Sequence, residues 1–569
     1  TTATRDTQGM VLYYTRDQIN KYTQVDVDGN ITHPVPMGGI LDTYDQRSSS
    51  YNFRGQLNLN HAWGNHGVSA LAGYEVKELN SDANYYRYYG YNDDLATTQR
   101  VDYTSFFPAY NNPGQYISIY NRDGISSMTD RFISYFANAA YTFKNRYTLS
   151  ASARKDQSNL FGVKANQRGV PLWSTGLAWM ISDEPFYKWS WMPYLKARTT
   201  FGHNGNIDKS VTAYTTAVSL GYNALTGLPY STIINPPNPE LQWERVKIWN
   251  AGVDFETKDR ILSGSIEYYT KWGIDLIGSM PYPPSTGVTV FRGNNADTKA
   301  HGVDLVLNAA IINRAFKWNA NALYSHLTEK VTSYKIEAPA VKYVYDGSGS
   351  SLISYPLEGK PLFAIYSFEW AGLDPETGNP QGYVDGAVSS DYATIISNAT
   401  TKSIVYHGSA RPTSFGSLRN TFSWKNLSLS VNVSYRLGYY FKRSSLRYSN
   451  ILKGQVDHGD YANRWQNPGD EQSTSVPSMP EFIDQNRDDF YLNSSALVEK
   501  GDHIRLQDIN LTYTLDRNQF SRLPFNRVHL YVYANNLGIL WKATDSDLDP
   551  DYPTMKPVRS IAAGVKIDF

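Results

Sequence analysis

Segments of about ten residues in which apolar and polar side chains alternate restrict the fold of this chain more than any other feature of its sequence. In residues 427–436 (LSLSVNVSYR), leucine, valine and tyrosine fall on one face and serine, asparagine and arginine on the other. A period of two is typical of a β-strand and excludes a helix, in which every third or fourth residue shares a face. The same alternation recurs at residues 146–154, 249–255, 262–268 and 527–533.

The polar faces of these strands decide which class of β-protein the sequence predicts. Strands of soluble sandwiches are usually about five or six residues long, and their inward faces form one apolar core. In a closed barrel within a bilayer, lipid contacts the apolar face, the lumen receives the polar face, and closure satisfies the backbone hydrogen bonds. The sequence therefore predicts an all-β fold, a transmembrane antiparallel β-barrel of an outer membrane.

The composition agrees with a barrel and removes several other classes. The chain has 53 basic and 53 acidic residues, and this zero net charge disfavours nucleic acid as a partner. It contains no cysteine, which excludes thiolate zinc sites, cysteine nucleophiles and disulfides. No stretch approaches the roughly 18 apolar residues of a spanning helix, and the first six residues (TTATRD) lack the features of a signal peptide. The 45 tyrosines, 22 phenylalanines and 13 tryptophans suit the aromatic belts of a membrane barrel.

The strands can be paired around short turns. We predict hairpins from residues 53–62 and 66–78, 132–144 and 146–155, 171–182 and 192–203, 246–256 and 260–272, 301–311 and 316–328, 412–424 and 426–437, and 502–515 and 526–537, followed by a last strand at 559–569. Between them lie long segments, notably 79–131, 204–245, 329–411 and 438–501. Outer-membrane barrels have short periplasmic turns and long outer loops, so we expect contacts with ligands and partners in the long segments.

The predicted strand number has a consequence for the start of the chain. Bacterial single-chain barrels have even strand numbers and both ends in the periplasm, whereas about fifteen strands are predicted here and the first one descends. We therefore expect an ascending partner upstream of Thr1. Residues 1–52 would then be an outer loop or the entrance to the barrel, and residues 53–569 its C-terminal part. A competing prediction makes residues 10–16 (MVLYYTR) one further strand.

The segments that carry a family resemblance are spread over nearly the whole chain. They are residues 66–75 (HGVSALAGYE), 146–162 (RYTLSASARKDQSNLFG), 238–255 (NPELQWERVKIWNAGVDF), 260–275 (RILSGSIEYYTKWGID), 302–309 (GVDLVLNA), 358–378 (EGKPLFAIYSFEWAGLDPETG), 498–515 (VEKGDHIRLQDINLTYTL) and 533–569. In this order they resemble the barrel of the SusC/RagA-like branch of TonB-dependent outer-membrane transporters of Bacteroidota.

The resemblance implies a barrel of about 22 strands, with the signal peptide, plug and TonB box lying outside this chain. It also implies import of oligosaccharides or oligopeptides with a SusD-like surface lipoprotein, driven by the TonB complex through the plug. A dimer of transporter and lipoprotein pairs stays open. The alternatives are a passive porin of about 16 strands that uses residues 10–16, and a surface adhesin anchored by the barrel.

The sequence carries no signature of an enzyme. GxSxG, HExxH and P-loop patterns are absent. No sequence motif therefore supports nucleophilic catalysis, zinc hydrolysis or phosphoryl transfer. The closest histidines, His61 and His66, lack a third ligand, and residues 374–378 (DPETG) and 545–551 (DSDLDPD) lack the spacing of an EF-hand. We predict no catalytic site, cofactor or metal, and interpret the two acidic segments as polar turns.

Two sets of residues are predicted to have specific roles. The first is the stretch 84–94 (NYYRYYGYNDD), whose aromatic faces and hydroxyls suit a sugar or peptide ligand; an outer aromatic belt with a strand extension is the alternative. Its candidate residues are Tyr85, Tyr86, Tyr88, Tyr89 and Tyr91. The second is the C-terminal AGVKIDF, where Val565, Ile567 and Phe569 would face lipid in the last strand. By resemblance, a C-terminal aromatic is a signal for barrel assembly.

Overall fold

The computed structural model describes residues 2–8, 12–159, 169–206, 208, 211–222, 226, 228–281, 283, 285, 287–288, 290–346, 355–455, 458–517, 519–520, 523–553 and 555–569. Within these ranges no helix combines the length and the apolar character needed to cross a bilayer. Strands dominate, and the helices are short.

The strands are numbered in chain order. They are β1 (Thr2–Gln8), β2 (Gln24–Val25), β3 (Ile31–Thr32), β4 (Gly39–Trp63), β5 (His66–Asn92), β6 (Thr97–Gln99), β7 (Phe106–Ala109), β8 (Asn112–Ser118), β9 (Gly124–Phe143), β10 (Tyr147–Ser158), β11 (Gly169–Met180), β12 (Tyr194–Asn206), β13 (Thr216–Tyr222), β14 (Pro229–Asn235), β15 (Glu244–Glu256), β16 (Leu262–Pro281), β17 (Val290–Asn313), β18 (Phe316–Tyr334), β19 (Ala364–Phe368), β20 (Gly372–Leu373), β21 (Pro380–Val384), β22 (Ala387–Ser389), β23 (Ile404–Ser409), β24 (Ser414–Trp424), β25 (Leu427–Leu437), β26 (Tyr440–Lys442), β27 (Val498–Lys500), β28 (His503–Asp516), β29 (Arg527–Lys542) and β30 (Ser560–Asp568). The α-helices are α1 (Tyr13–Tyr22), α2 (Ala340–Asp346), α3 (Tyr392–Ser397), α4 (Tyr448–Leu452) and α5 (Gln485–Leu492). Short 3₁₀ helices lie at Ile181–Asp183, Lys258–Arg260, Gly459–Asn463, Asp470–Gln472 and Ser495–Leu497.

One large sheet contains every strand predicted from alternation. From β11 through β12, β15, β16, β17, β18, β24, β25, β28 and β29 to β30, each strand pairs antiparallel with the next. In the order of neighbours, β30 is followed by β4 and β5, β5 also pairs with β9, and β9 with β10. The predicted all-β antiparallel fold is confirmed. Several strands extend past their predicted ends, as β4 does to Gly39, because backbone pairing continues where the side chains no longer alternate.

Alternation along the strands separates two surfaces. Leu418 on β24 and Leu427 on β25 are 42% and 40% exposed. On the opposite face, Arg419 donates two hydrogen bonds of 3.1 Å to Asp508, which also accepts one of 2.9 Å from Asn432. Exposed leucines beside an ion-paired polar face are what lipid outside and water inside a barrel require.

The chain divides into two compact units. The smaller comprises Thr1–Leu57, Ala72–Phe136 and Arg154–Val170, and the larger comprises Asn58–Leu71, Ala137–Ala153 and Pro171–Phe569. In the smaller unit, β1 pairs antiparallel with β4. An apolar core surrounds α1 in this unit and consists of Ile19, Tyr22, Val35, Ile40, Tyr89 and Ile119.

The structure corrects the competing prediction for residues 10–16. Residues 13–16 begin α1 rather than a strand, and residues 10 and 11 lie outside the described part of the chain. Thr15, Ile19 and Tyr22 are buried at helical spacing, and this period outweighs the short alternation. Residues 1–52 thus contain β1, α1, β2, β3 and the start of β4; their assignment as an entrance to the barrel stays a prediction.

The long segments of the larger unit are folded around cores of their own. Segment 329–411 contributes most of an apolar cluster in which Val344, Phe368 and Phe490 are buried. In segment 438–501, Leu446, Tyr448 and Val476 form another. These segments therefore hold their polar side chains in defined positions.

Candidate functional site

The tyrosine stretch lies on β5 in the smaller unit, and its members differ in exposure. Tyr85, Tyr86 and Tyr88 are 42%, 38% and 38% exposed, whereas Tyr89 and Tyr91 are buried. The Tyr89 hydroxyl donates to the backbone oxygen of Tyr120 at 2.9 Å, and the Tyr91 hydroxyl donates to Asp93 at 3.0 Å. Tyr89 and Tyr91 therefore offer little exposed surface to a ligand, and the ligand role of the five tyrosines stays a prediction.

A buried ion pair lies within the tyrosine stretch, and the sequence pattern did not indicate it. Arg87 donates from Nε and Nη2 to the two carboxylate oxygens of Asp42, each at 2.7 Å. Arg122 adds a third contact to Asp42 at 2.8 Å. Tyr85 shares the face of Arg87, and its ring lies 4.6 Å from that of Tyr44. Tyr86 and Tyr88 lie on the strand face opposite Arg87. A ligand role for the stretch stays a prediction, and it rests on Tyr86, Tyr88 and the exposed edge of Tyr85.

The C-terminal residues occupy the predicted last strand. Val565 pairs with Leu530 and Ile567 with Val528 across β29 and β30. Phe569 is 88% exposed, and its ring meets Phe525 edge to face at 5.2 Å. This is the geometry expected of a lipid-facing strand end; the assembly role of the three residues stays a prediction.

The residues considered for metal binding have other partners. His66 Nδ1 lies 2.6 Å from the Tyr141 hydroxyl, and the His66 ring stacks on Trp63. Asp374 accepts hydrogen bonds from the backbone of Thr377 at 2.8 Å and of Glu376 at 3.0 Å, which lowers its pKa. Within the described ranges, no three His, Cys, Asp or Glu side chains are grouped to hold a metal ion.

A polar cavity in the long segments of the larger unit was not anticipated. It has a volume of about 750 Å³, within the roughly 300–1,000 Å³ range of ligand sites. Its ionisable lining comprises Arg443, His458, Asp460, Arg464, Asp470, Glu499 and Asp547, and its hydroxyl lining comprises Ser473, Thr474, Ser475 and Ser546. Donors and acceptors thus surround one space, and we call it the polar cavity.

One arginine holds the wall of the polar cavity together. Arg443 contacts Asp460 through Nη1 and lies 3.2 Å from Glu499 through Nε. Ser445 donates to Asp460 at 2.6 Å. Burial by itself raises the pKa of Asp460, but hydrogen bonds from Ser445 and Arg443 lower it below its ordinary value. Burial raises the pKa of Glu499 despite Arg443.

A second ion-pair network anchors the segment that follows β29. Arg505 Nη2 lies 2.6 Å from Asp549, and both side chains are almost fully buried. Asp551 contacts His503 at 3.2 Å and Arg436 at 2.8 Å. Because Asp547 lies between these anchors and β29, the network fixes one side of the polar cavity. In the sequence these residues are scattered: Arg436 lies on β25, His503 and Arg505 lie on β28, and the two aspartates follow β29. No local pattern relates them.

Comparison with known proteins places the chain in a family. The family described as "TonB dependent receptor-like, beta-barrel" matches residues 2–537. TonB-dependent receptor P39 of Formosa agariphila is 24% identical over 92% of this chain and 51% of its own length. TonB-dependent receptor SusC of Bacteroides thetaiotaomicron is 28% identical over 34% of this chain and 20% of its own length. The chain thus spans at most about half the length of these relatives.

Solved structures share the fold. The structure of the RagAB peptide transporter superposes with a TM-score of 0.74 at 21% identity, covering 93% of this chain and 56% of that chain. The RagAB peptide importer in its closed-closed state gives the same TM-score and identity. Because the family match covers most of the residues, the chain belongs to the TonB-dependent receptor-like family of outer-membrane β-barrels, and its resemblance to the SusC/RagA-like branch is confirmed.

Proposed function

We propose that this barrel serves TonB-dependent import of oligosaccharides or oligopeptides across the outer membrane, together with a SusD-like surface lipoprotein. The observation that carries the proposal is the polar cavity of about 750 Å³, lined by both cations and carboxylates. Oligomers rich in hydroxyl or amide groups match such a lining because each unit offers both hydrogen-bond donors and acceptors.

The side chains that line the polar cavity are held in place, and this favours ligand binding. Arg443 is fixed between Asp460 and Glu499, and the Arg464 guanidinium lies 4.1 Å from the ring centre of Tyr461. Arg464 also donates to the backbone oxygen of Tyr461 at 3.0 Å. A ligand therefore meets side chains that are already placed, and little conformational entropy is lost on binding. Asp547, which also lines the cavity, is exposed.

The family relatives extend the proposal to a partner. RagAB is a peptide importer, and SusC is a TonB-dependent receptor. By this analogy, a surface lipoprotein would dock on the long segments 329–411 and 438–501, and energy would come from TonB through a plug. We expect the lipoprotein to co-purify with the full-length protein from outer membranes in mild detergent; recovery of the barrel alone under conditions that preserve other lipoprotein complexes would contradict this part.

The alternative functions have weaker grounds. The passive porin was predicted with residues 10–16 as its further strand, but residues 13–16 belong to α1, and β1 is the strand that pairs with β4. The family match to TonB-dependent receptors favours the transporter. The adhesin has no feature of the described residues in its favour beyond exposed outer segments, which a transporter also has.

The test measures uptake of fluorescent oligosaccharide and oligopeptide pools by cells that make the full-length protein. A double variant, Arg464→Gln with Asp547→Asn, should reduce uptake at least tenfold. The matched control, Arg260→Gln with Asp259→Asn, changes the same residue types at the short turn before β16 and should leave uptake unchanged. A protonophore should abolish uptake. Uptake that persists with the protonophore would indicate a passive pore, and equal uptake by both variants would remove the polar cavity from the pathway.

A further inference from the structure

An apolar groove runs over the outward face of β9 to β12 in the larger unit. Its volume is about 620 Å³, and its large lining residues are Tyr141, Phe143, Tyr147, Leu149, Leu177 and Trp179. On β12 it is lined by Ala197, Arg198 and Thr199. Ala197 pairs with Trp179, and Thr199 pairs with Leu177. Small side chains beside large ones leave a channel rather than an even surface. We call this feature the belt groove.

A buried carboxylate fixes the rim of the belt groove at the short-turn end of the strands. Glu184 accepts hydrogen bonds from the Tyr147 hydroxyl and, at 3.0 Å, from Trp179 Nε1. Its other oxygen lies 3.3 Å from Arg146 Nη1. The two rim aromatics are therefore held in one orientation, and the groove keeps its shape without an occupant.

The short connections between the strands, two of which lie beside the belt groove, are richer in basic than in acidic residues. The short connections 144–146, 181–193, 257–261, 314–315, 425–426 and 517–526 contain nine basic residues and three acidic ones, although the whole chain is balanced. The two connections beside the belt groove, 144–146 and 181–193, contain the basic residues Lys144, Arg146 and Lys188 and the acidic residues Asp183 and Glu184. Lys144 is exposed and sits 5.3 Å from the ring centre of Phe143, a groove residue. Arg146 precedes Tyr147.

We propose that the belt groove binds one anionic phospholipid of the inner leaflet, with an acyl chain in the groove and the phosphate at Lys144 and Arg146. The apolar lining accepts the chain, and the basic short turns complement the headgroup. Short turns of outer-membrane barrels face the periplasm, so the occupant comes from the phospholipid leaflet and not from lipopolysaccharide. The inference is independent of the transported substrate.

The test counts lipids bound to the full-length protein in detergent by native mass spectrometry, with phosphatidylglycerol as the probe. The wild-type protein should hold one phosphatidylglycerol more tightly than any further one. Ala197→Phe fills the groove and should weaken this binding at least tenfold. Lys144→Gln should weaken it about fivefold, the equivalent of about 1 kcal/mol for one basic residue at a lipid headgroup.

Matched controls separate this site from general lipid contact. Lys425 occupies the same kind of turn as Lys144, with φ of 52° in both, and Lys425→Gln should leave binding unchanged. Ala320 faces outward on β18 away from the groove, and Ala320→Phe serves as the second control. Heat-modifiable migration in gels reports whether each barrel has assembled. If Ala197→Phe does not assemble, the comparison of Lys144→Gln with Lys425→Gln tests the proposal. Equal binding by Lys144→Gln and Lys425→Gln, or displacement of phosphatidylglycerol by an equal amount of lipid A, would overturn the proposal.

Discussion

Removal of the Asp549 carboxylate should release the segment 543–559 from β28. Arg505 Nη2 lies 2.6 Å from Asp549 Oδ1, and the two side chains are 5% and 6% exposed. In Asp549→Ala the guanidinium stays buried without this partner, and Asp551 remains at 3.6 Å. Breaking a buried pair by removing one member costs about 3–5 kcal/mol. Because Asp551 stays close, we take the lower end, about 3 kcal/mol.

This magnitude defines the expected measurement. About 3 kcal/mol corresponds to a change of about two orders of magnitude in the population of the opened segment. Two amides report it: Ala543 N–H donates to Asp502 O and Tyr552 N–H to Asp549 O, both at 2.9 Å. Hydrogen exchange of the full-length protein should therefore be about 100-fold faster at these amides, since exchange follows the free energy of local opening.

The control lies in the same segment. Asp545 is exposed, so Asp545→Ala removes an equal charge without uncovering a buried cation and should change exchange less than twofold. If Asp549→Ala also stayed within twofold of the wild-type protein, the ion pair would not hold the segment, and the described anchoring of the polar cavity would be wrong.

Three further predictions concern assembly, pH and packing. Phe569→Ala should lower the amount of heat-modifiable barrel in outer membranes, while Phe520→Ala, outside the strands, should not; equal amounts would remove the assembly role. Burial raises the pKa of Asp551, but hydrogen bonds from His503 and Arg436 lower it to about 2. Because this value lies below the ordinary value of about 3.9, the stabilisation is present at neutral pH and lost as pH falls from about 4 to 2. Tyr552 exchange, corrected for its intrinsic rate, should accelerate over that interval, and a flat profile would refute the pairing. Tyr89→Ala should destabilise the smaller unit by about 3–5 kcal/mol in denaturant unfolding, and Tyr86→Ala by less than about 1 kcal/mol; similar losses would contradict the burial difference.

The strands of this protein could be predicted because each one carries its own signal. In β25 the apolar residues alternate from Leu427 to the strand end, and the observed bounds, Leu427–Leu437, differ little from the predicted 426–437. The signal fails at 39–52, where β4 is polar on both faces, and at α1, where helical spacing competes with a short alternation. Local periodicity therefore predicts the strands that alternate between lipid and lumen, and it is less accurate for the segments outside them.

The polar cavity could not be predicted because its parts meet only in three dimensions. Arg443, Asp460 and Glu499 come from three positions of one long segment, and no period relates them. The cores that support the cavity are equally non-local: the rings of Phe368 and Phe490 lie 5.9 Å apart although 122 residues separate them in the sequence. In the tyrosine stretch, the sequence pattern indicated only the conspicuous tyrosines. It missed the ion pair of Arg87, because the partner, Asp42, is remote in the sequence.

The charges of the polar cavity bear on how it would select a ligand under the proposed function. Arg443 is already shared between Asp460 and Glu499, and Asp470 accepts hydrogen bonds from the backbone of Gln466 and Asn467 at 2.9 and 2.8 Å. A charged ligand group that bound at Arg443 or Asp470 would have to displace these partners at the cost of leaving a charge unpaired. Neutral hydroxyl and amide groups meet no such penalty, because they bond to lone pairs and protons that the existing contacts leave available. Around Arg443 and Asp470, selection therefore depends on the spacing of hydrogen-bonding groups along an oligomer more than on its net charge.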